Sequence, residues 1–280
     1  MSTPPFRIPP PPPGGFGLLA SLLGQWPTNP SKWSKSFKQR IIERLLKRRN
    51  VLDERINAVV QGRTVPDLDD VSIGSGSQCP LAILFLDICG FSTLPNWFPQ
   101  EQKRVLALMN LFMAEMISIV REFEGHFEKN TGDGLMAYFG EGAKSDADRV
   151  KPAVEAATVM HYFNDNVLGP YLESTKIPKL RFRVGIDVGP VTLARIGVKS
   201  ADSDYNSMVA IGTTANVACK LMNLIPDGGI CVGEHAYRSL PNDWAMRCTR
   251  SDRPTIFVYV ATQQPYPGWV LDYRLTEPLL

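Results

Sequence analysis

Two aspartates, Asp87 and Asp133, stand where their carboxylates could hold a divalent metal ion. Asp87 closes residues 81–88, an apolar run with the length of a buried strand. Asp133 lies among the turn residues 130–134, between two predicted strands. Carboxylates at one edge of a sheet supply the hard oxygen ligands that Mg²⁺ and Mn²⁺ prefer. Each aspartate alone also has a simpler interpretation, as a cap or as a turn residue.

The segments around these aspartates alternate between strand and helix patterns. They predict a strand at 81–88, a helix at 100–123, a hairpin at 125–139, a helix at 147–166 and a strand at 180–188. This is the ferredoxin-like βαββαβ order, which predicts an α+β sandwich. Further predicted elements are a strand at 191–196, a helix at 213–223 and strands at 229–232 and 256–260.

Composition divides the chain into five segments. We predict a Pro-rich flexible tail at 1–30, a basic amphipathic helix at 31–60, a linker at 61–79, the α+β domain at 80–265 and a C-terminal tail at 266–280. Residues 1–50 hold nine of the 30 basic residues and one of the 28 acidic residues. We expect this basic leader to dock on the domain or on a second subunit, and membrane contact is the less favoured alternative.

Cysteine usage and hydropathy exclude several classes of protein. The five cysteines are odd in number and form no CxxC pair, which disfavours a disulfide framework and a zinc cage. No apolar run approaches the roughly 18 residues that a membrane span needs. We therefore predict a cytoplasmic protein and expect no nucleic acid partner.

Four ordered segments resemble the motifs of class III adenylate and guanylate cyclases. The segments are FLDICGFS (85–92), EKNTGDGLMAYF (128–139), FRVGIDVGPV (182–191) and VAIGTTANVACKLM (209–222). Four motifs in family order are more specific than one short pattern. The resemblance implies the fold of class III cyclase catalytic domains, preceded here by a helical extension.

The resemblance also assigns roles to individual residues. It implies two Mn²⁺ or Mg²⁺ ions per active site, bound by Asp87, Asp133 and the backbone carbonyl of Ile88. It implies contacts to the substrate by Phe85 at the pocket wall, Lys129 at the base, Asn216 at the ribose, and Lys220 and Arg250 at the phosphates, with Arg253 as the alternative to Arg250. Asp87, Asp133, Asn216 and Lys220 would be the catalytic residues.

The implied reaction is attack of the ribose 3′-hydroxyl on the α-phosphorus of a nucleoside triphosphate. The products are a 3′,5′-cyclic nucleotide and pyrophosphate. In the family the two half-sites come from different subunits, so one domain per chain implies a homodimer with active sites at its interface. Similarity to the Pycsar pyrimidine cyclases further implies a role in bacterial anti-phage defence and a separate effector protein that binds the cyclic nucleotide.

Two departures from the adenylate cyclase pattern concern the base and the phosphates. Val209 stands where an aspartate would accept a hydrogen bond from the adenine amine, and Lys220 replaces the usual arginine. Lys129, a donor, remains, and uracil presents carbonyl acceptors without an exocyclic amine. We therefore predict UTP as substrate and cUMP as product. Adenylate cyclase activity stays open, because backbone carbonyls could accept from adenine.

Three other readings compete with a cyclase. A diguanylate cyclase or another palm-type nucleotidyl transferase would keep the fold, but the GGDEF-like signature is absent. A catalytically inactive, cyclase-like regulatory domain that binds nucleotide would explain Val209 and Lys220, but not the retention of both aspartates. The basic leader could also be the main functional element, binding membrane or nucleic acid.

Overall fold

A computed structural model describes residues 60–61, 72–91, 102–174, 179–199 and 204–273. The strands are β1 (Val60–Gln61), β2 (Gly76–Ile88), β3 (His126–Asn130), β4 (Gly134–Phe139), β5 (Phe182–Lys199), β6 (Asp204–Ile211), β7 (Gly229–Gly233), β8 (Cys248–Arg250) and β9 (Gly268–Leu271). The α-helices are α1 (Gln102–Glu122), α2 (Asp146–Phe163), α3 (Gly169–Ser174), α4 (Thr213–Leu221), α5 (Glu234–Ser239) and α6 (Asn242–Ala245). The predictions for residues 1–59 lie outside the described residues.

The strands form one mixed sheet in the order β3-β4-β2-β5-β7-β9-β8, with β1 beside β2 and β6 beside β5. The central strand β2 runs antiparallel to β4 and to β5, whereas β5 and β7 are parallel. Along the chain, β2-α1-β3-β4-α2-β5 follows the predicted βαββαβ order. The α+β sandwich is therefore confirmed.

Alternating side chains of β2 build two separate layers of core, because successive residues of a strand point to opposite faces. Leu84 and Leu86 pack in the core that includes Phe112 of α1 and Val154 of α2. Cys79, Leu81 and Ile83, on the other face, pack with Ala215 and Ala218 of α4. The continuous apolar run of β2 follows from this burial on both faces.

The two strands predicted at 180–188 and 191–196 are one continuous strand, β5. The predicted interruption falls at Gly189 and Pro190, but Pro190 lies opposite Pro80 and the β2–β5 ladder continues past this pair. A proline at a position that donates no ladder bond leaves a strand intact.

The C-terminal end of the domain differs from the prediction. The strand predicted at 256–260 is wrong: this run lies in the segment 251–267, where Val258 forms only an isolated bridge with Pro265. The last strand is β9, which pairs with β7 and β8 and lies within the predicted C-terminal tail. Both runs are apolar and of strand length, so the pattern could not choose between them. At the other end, β2 begins at Gly76, inside the predicted linker.

Candidate active site

The two predicted metal ligands come together at one end of β2. Asp87 lies opposite Gly134 in the β2–β4 ladder, and the N–H of Ile88 donates to the Asp133 carbonyl oxygen at 3.2 Å. A Cβ atom on Gly134 would lie 2.0 Å from the Leu86 carbonyl oxygen, so only glycine permits this close approach. The tight β3–β4 turn therefore holds Asp133 beside Asp87.

An arginine that the sequence analysis did not single out lies beside this pair. Arg183 is opposite Asp87 in the β2–β5 ladder, and its Nε and Nη2 donate to Asp87 Oδ2 at 2.9 and 2.6 Å. Burial and the neighbouring Asp87 carboxylate raise the pKa of Asp133, and Arg183 partly offsets this increase. The two carboxylates thus interact directly, which is typical of a shared metal site.

The residues at this end of β2 fit a divalent metal ion with hard oxygen ligands. Asp87 and Asp133 are both partly exposed and offer carboxylate oxygens. Within the described ranges, no group of three or more His, Cys, Asp or Glu side chains gathers around a common point. Mg²⁺ and Mn²⁺ suit such a sparse set, since substrate phosphates and water complete their coordination.

Helix α4 presents the predicted ribose and phosphate contacts. Asn216 and Lys220 are both exposed and, four residues apart, share one face of the helix. The opposite face of α4 packs closely on β5 at Gly185, where a Cβ atom would lie 2.1 Å from the Ala218 carbonyl oxygen. Gly185 therefore sets the distance between this helix and the sheet.

The predicted base contacts, Lys129 and Val209, are linked by a residue that the sequence analysis missed. Glu128 forms an ion pair with the Lys129 ammonium at 3.2 Å and accepts a hydrogen bond from the N–H of Ala210 at 3.1 Å. Val209 precedes Ala210 on β6 and is half-buried. Glu128 thus places a carboxylate acceptor of β3 next to Val209, where Val209 itself offers no acceptor.

The remaining predicted residues are more dispersed. Phe85 is half-buried on the α4 side of the sheet, and Ile88 is buried at the end of β2. Arg250 and Arg253 are exposed, and Arg250 lies on β8. β8 is four strands from β2, so at a strand spacing of roughly 4.8 Å the two strands are about 19 Å apart. Arg250 is therefore not brought to the aspartates within one chain.

A cavity of about 480 Å³ lies away from the metal ligands. It opens between the start of α4 and the segment 251–267, and its lining includes Asp187, Thr213 and Tyr259. Neither Asp87 nor Asp133 lines it. The carboxylate pair therefore lies outside this cavity.

Arg183 and Glu128 differ in how far the sequence could have indicated them. Both lie inside motifs that were recognised from their sequence. Arg183 could have been found by pairing the strands antiparallel and looking opposite Asp87. The position of the Glu128 side chain depends on a bulge in the β3–β4 ladder between Phe127 and Lys129, and the sequence carries no clear signal for this bulge.

The model of the adenylate and guanylate cyclase catalytic domain family matches residues 75–265. The chain therefore belongs to this family, and the predicted class III resemblance is confirmed. Within the described ranges, no helix has the length and apolarity needed to cross a bilayer.

Individual relatives include pyrimidine cyclases. A cytidylate cyclase of Staphylococcus aureus is 29% identical over 160 residues, covering 56% of this chain and 36% of its own length. A uridylate cyclase of Gulbenkiania mobilis is 23% identical over 210 residues, covering 73% of this chain and 81% of its own. This chain thus spans only about a third of the length of the cytidylate cyclase.

The fold also matches solved structures. The adenylyl cyclase CyaB of P. aeruginosa superposes with a TM-score of 0.60 and 24% identity, over 73% of this chain and 100% of that chain. The guanylyl cyclase Cya2 superposes with a TM-score of 0.57 and 19% identity, over 70% of this chain and 93% of that chain. At these identities the likeness concerns the fold.

Proposed function

We propose that this protein is a nucleotide cyclase that converts a pyrimidine nucleoside triphosphate into its 3′,5′-cyclic monophosphate and pyrophosphate. The observation that carries the proposal is the pair of adjacent carboxylates, Asp87 and Asp133, at the end of the central strand of a class III cyclase domain. A domain that only binds nucleotide has no need for two interacting carboxylates beside one another.

The side chains of this chain would position and neutralise the reacting groups. The Asn216 amide would orient the ribose so that its 3′-oxygen lies in line with the α-phosphorus, and the Lys220 ammonium would neutralise charge on the phosphates. Asp87 and Asp133 would hold Mg²⁺ or Mn²⁺, two ions per site, which would lower the pKa of the 3′-hydroxyl and stabilise the leaving pyrophosphate. The new bond joins the 3′-oxygen to the α-phosphorus as the bond to pyrophosphate breaks.

UTP and CTP are both candidate pyrimidines. The Lys129 ammonium can donate to the carbonyl oxygens of uracil, and the Glu128 carboxylate beside Lys129 can accept from the amine of cytosine. A cytidylate cyclase and a uridylate cyclase are both among the relatives. Purified protein incubated with ATP, GTP, CTP or UTP and Mn²⁺, with products separated by chromatography and identified by mass spectrometry, ranks the four bases. Preferred turnover of ATP or GTP refutes a pyrimidine cyclase.

The same assay with Asp133→Asn tests the cyclase assignment itself. The amide keeps the size of the side chain but loses its charge, so we expect cyclic nucleotide production to fall by at least about 100-fold. Undiminished production by this variant would remove Asp133 from the metal site.

We further propose a homodimer in which each active site combines the carboxylates of one subunit with α4 of the other. The β5–β6 hairpin supports this, because it exposes the large apolar side chains Ile196, Val198 and Ile211. Asp133→Asn and Asn216→Ala can be co-expressed with different tags. Heterodimers then contain one site with both residues intact, so a random mixture should regain about a quarter of wild-type activity. A mixture no more active than the single variants would refute a shared site.

The biological proposal is a cytoplasmic signal generator in bacterial anti-phage defence, acting through a separate effector that binds the cyclic pyrimidine nucleotide. It is supported by the resemblance to pyrimidine cyclases and by five free cysteines, as expected in a reducing compartment. Plaque counts on the bacterium that encodes this protein, carrying either the wild-type gene or its Asp133→Asn variant, test it. Equal counts would refute a role of cyclisation in defence.

A further inference from the structure

A bulge in the first hairpin buries a carboxylate beside the predicted base-binding lysine. The β3–β4 register shifts between Phe127 and Lys129, so Glu128 is an extra residue that has no partner in the ladder. The Glu128 side chain is only 1% exposed, whereas that of Lys129 is 44% exposed. Bulges commonly re-aim a side chain next to an active site.

The two oxygens of Glu128 are used unequally. Oε1 lies 3.2 Å from the Lys129 ammonium nitrogen in an ion pair and accepts a hydrogen bond from the Ala210 N–H at 3.1 Å. Oε2 is buried and has no hydrogen-bond partner among the described residues. Folded proteins rarely leave a buried charged oxygen unsatisfied, because its desolvation is then uncompensated. An oxygen in this state is well suited to accept a hydrogen bond from a ligand.

We propose that Glu128 is the hydrogen-bond acceptor of the base pocket and that it favours a base with an amine at ring position 4, which is cytosine among the pyrimidines. This inference rests on the proposed cyclase function and adds a specificity-determining residue to it. Glu128 contacts Ala210, next to Val209, and so replaces the acceptor that is absent at Val209.

The relative burial of Glu128 and Lys129 orients the base. Position 4 lies opposite the ring nitrogen that carries the ribose, so it points away from Asn216 on the exposed face of α4. The deeper Glu128 therefore faces position 4, and the more exposed Lys129 faces N3 or O2. Cytosine offers an N–H donor to Glu128 and the N3 acceptor to Lys129, whereas uracil would place its O4 against a carboxylate.

A purely structural role for Glu128 predicts a different result. If Glu128 only anchors β6 through the Ala210 N–H, its loss alters the pocket for every nucleotide alike. A residue that reads position 4 instead changes the ratio of kcat/KM for CTP to kcat/KM for UTP. This ratio separates the two roles, whichever pyrimidine the wild-type protein prefers.

The test is Glu128→Gln, assayed for kcat/KM with CTP and with UTP. Glutamine keeps the shape and can turn its amide N–H towards O4 of uracil, so the CTP:UTP ratio should fall by about 10- to 100-fold. The matched control is Glu141→Gln, because the partly exposed Glu141 carboxylate contacts His126 Nε2 of the same hairpin at 2.8 Å, and it should leave the ratio unchanged. A ratio in Glu128→Gln that equals the wild-type value overturns the proposal.

A measurement on the wild-type protein covers the case in which Glu128→Gln does not fold. The triphosphate of the pyrimidin-2-one riboside lacks only the 4-amine of CTP, so its kcat/KM should be at least about 10-fold lower than that of CTP. Equal values overturn the proposal. Absence of any cyclic product from all nucleotides would instead refute the proposed function, so the two failures are distinguishable.

Discussion

The buried carboxyl of Asp187 makes the stability of the fold depend on pH. Asp187 lies on β5, is 2% exposed, and accepts hydrogen bonds from the Val188 N–H at 3.0 Å and from the Tyr266 hydroxyl at 2.9 Å. Burial raises its pKa from 3.8 to about 7, against the hydrogen bonds, which lower it. We therefore expect Asp187→Asn to alter the pH dependence of the free energy of unfolding.

The sign follows from the direction of the shift. Between about pH 4 and pH 7 the folded protein binds a proton at Asp187 that the unfolded chain has released, so the free energy of unfolding falls as pH rises. The stabilisation is complete below the unfolded pKa and is lost as pH passes through the folded pKa. The difference between 3.8 and about 7 corresponds to about 4 kcal/mol.

The asparagine variant resembles the protonated aspartate at every pH. Below about pH 4 the two proteins should have similar free energies of unfolding, and the advantage of the variant should grow as pH rises, to about 4 kcal/mol at pH 8. Urea denaturation followed by circular dichroism between pH 4 and pH 8 measures both curves. Asp252→Asn is the control, because Asp252 is exposed and its replacement should leave the wild-type curve unchanged in shape. Parallel curves for Asp187→Asn and wild type would refute the reasoning.

Three further predictions concern the site. Gly134→Ala should lower the free energy of unfolding, measured by urea denaturation, by about 1–3 kcal/mol, because the new Cβ atom would meet the Leu86 carbonyl oxygen. The control is Gly142→Ala, which has open space around it and should lower the free energy of unfolding by about 1 kcal/mol or less. Lys220→Met should lower kcat by about 100-fold and Lys220→Arg should keep most of it; equal loss in both would argue against a purely electrostatic role. Because the pKa of Asp133 is raised, cyclase activity measured against pH should begin to fall, on the acid side, at a higher pH than the pKa of a free aspartate. More Mn²⁺ should move this fall to lower pH, since the metal ion and the proton compete for the same carboxylate. A fall whose pH does not depend on the Mn²⁺ concentration would contradict metal binding by Asp133.

The parts of the fold that the sequence predicted are those with a local signal. The apolar run of β2, the periodicity of α1 and the turn residues before Gly134 each identify an element from neighbouring residues alone. The end of the domain has no such signal, because residues 256–260 and β9 are both apolar runs. Which run joins the sheet depends on Leu271 packing between β7 and β8, a tertiary contact.

The residues of the candidate site also divide into those with a local sequence signal and those that depend on tertiary contacts. Asp87 and Asp133 were found because each belongs to a contiguous motif. The contact between Arg183 and Asp87 joins residues 96 positions apart, and it depends on the register of the β2–β5 ladder. Glu128 stands next to Lys129 in the sequence, but strict alternation would place the two side chains on opposite faces. The bulge brings them together, and no residue pattern specifies it.

The structure separates the residues expected to perform the chemistry from those expected to choose the base. Asp87 is held by the end of β2 and Asp133 by the β3–β4 turn. Any side chain at Gly134 would collide with the Leu86 carbonyl oxygen, so this turn keeps its close approach to β2. Glu128 lies on the bulge of β3 and accepts a hydrogen bond from the N–H of Ala210, the residue after Val209 on β6. We therefore expect a change at Glu128 to alter which base is preferred without disturbing the carboxylate pair.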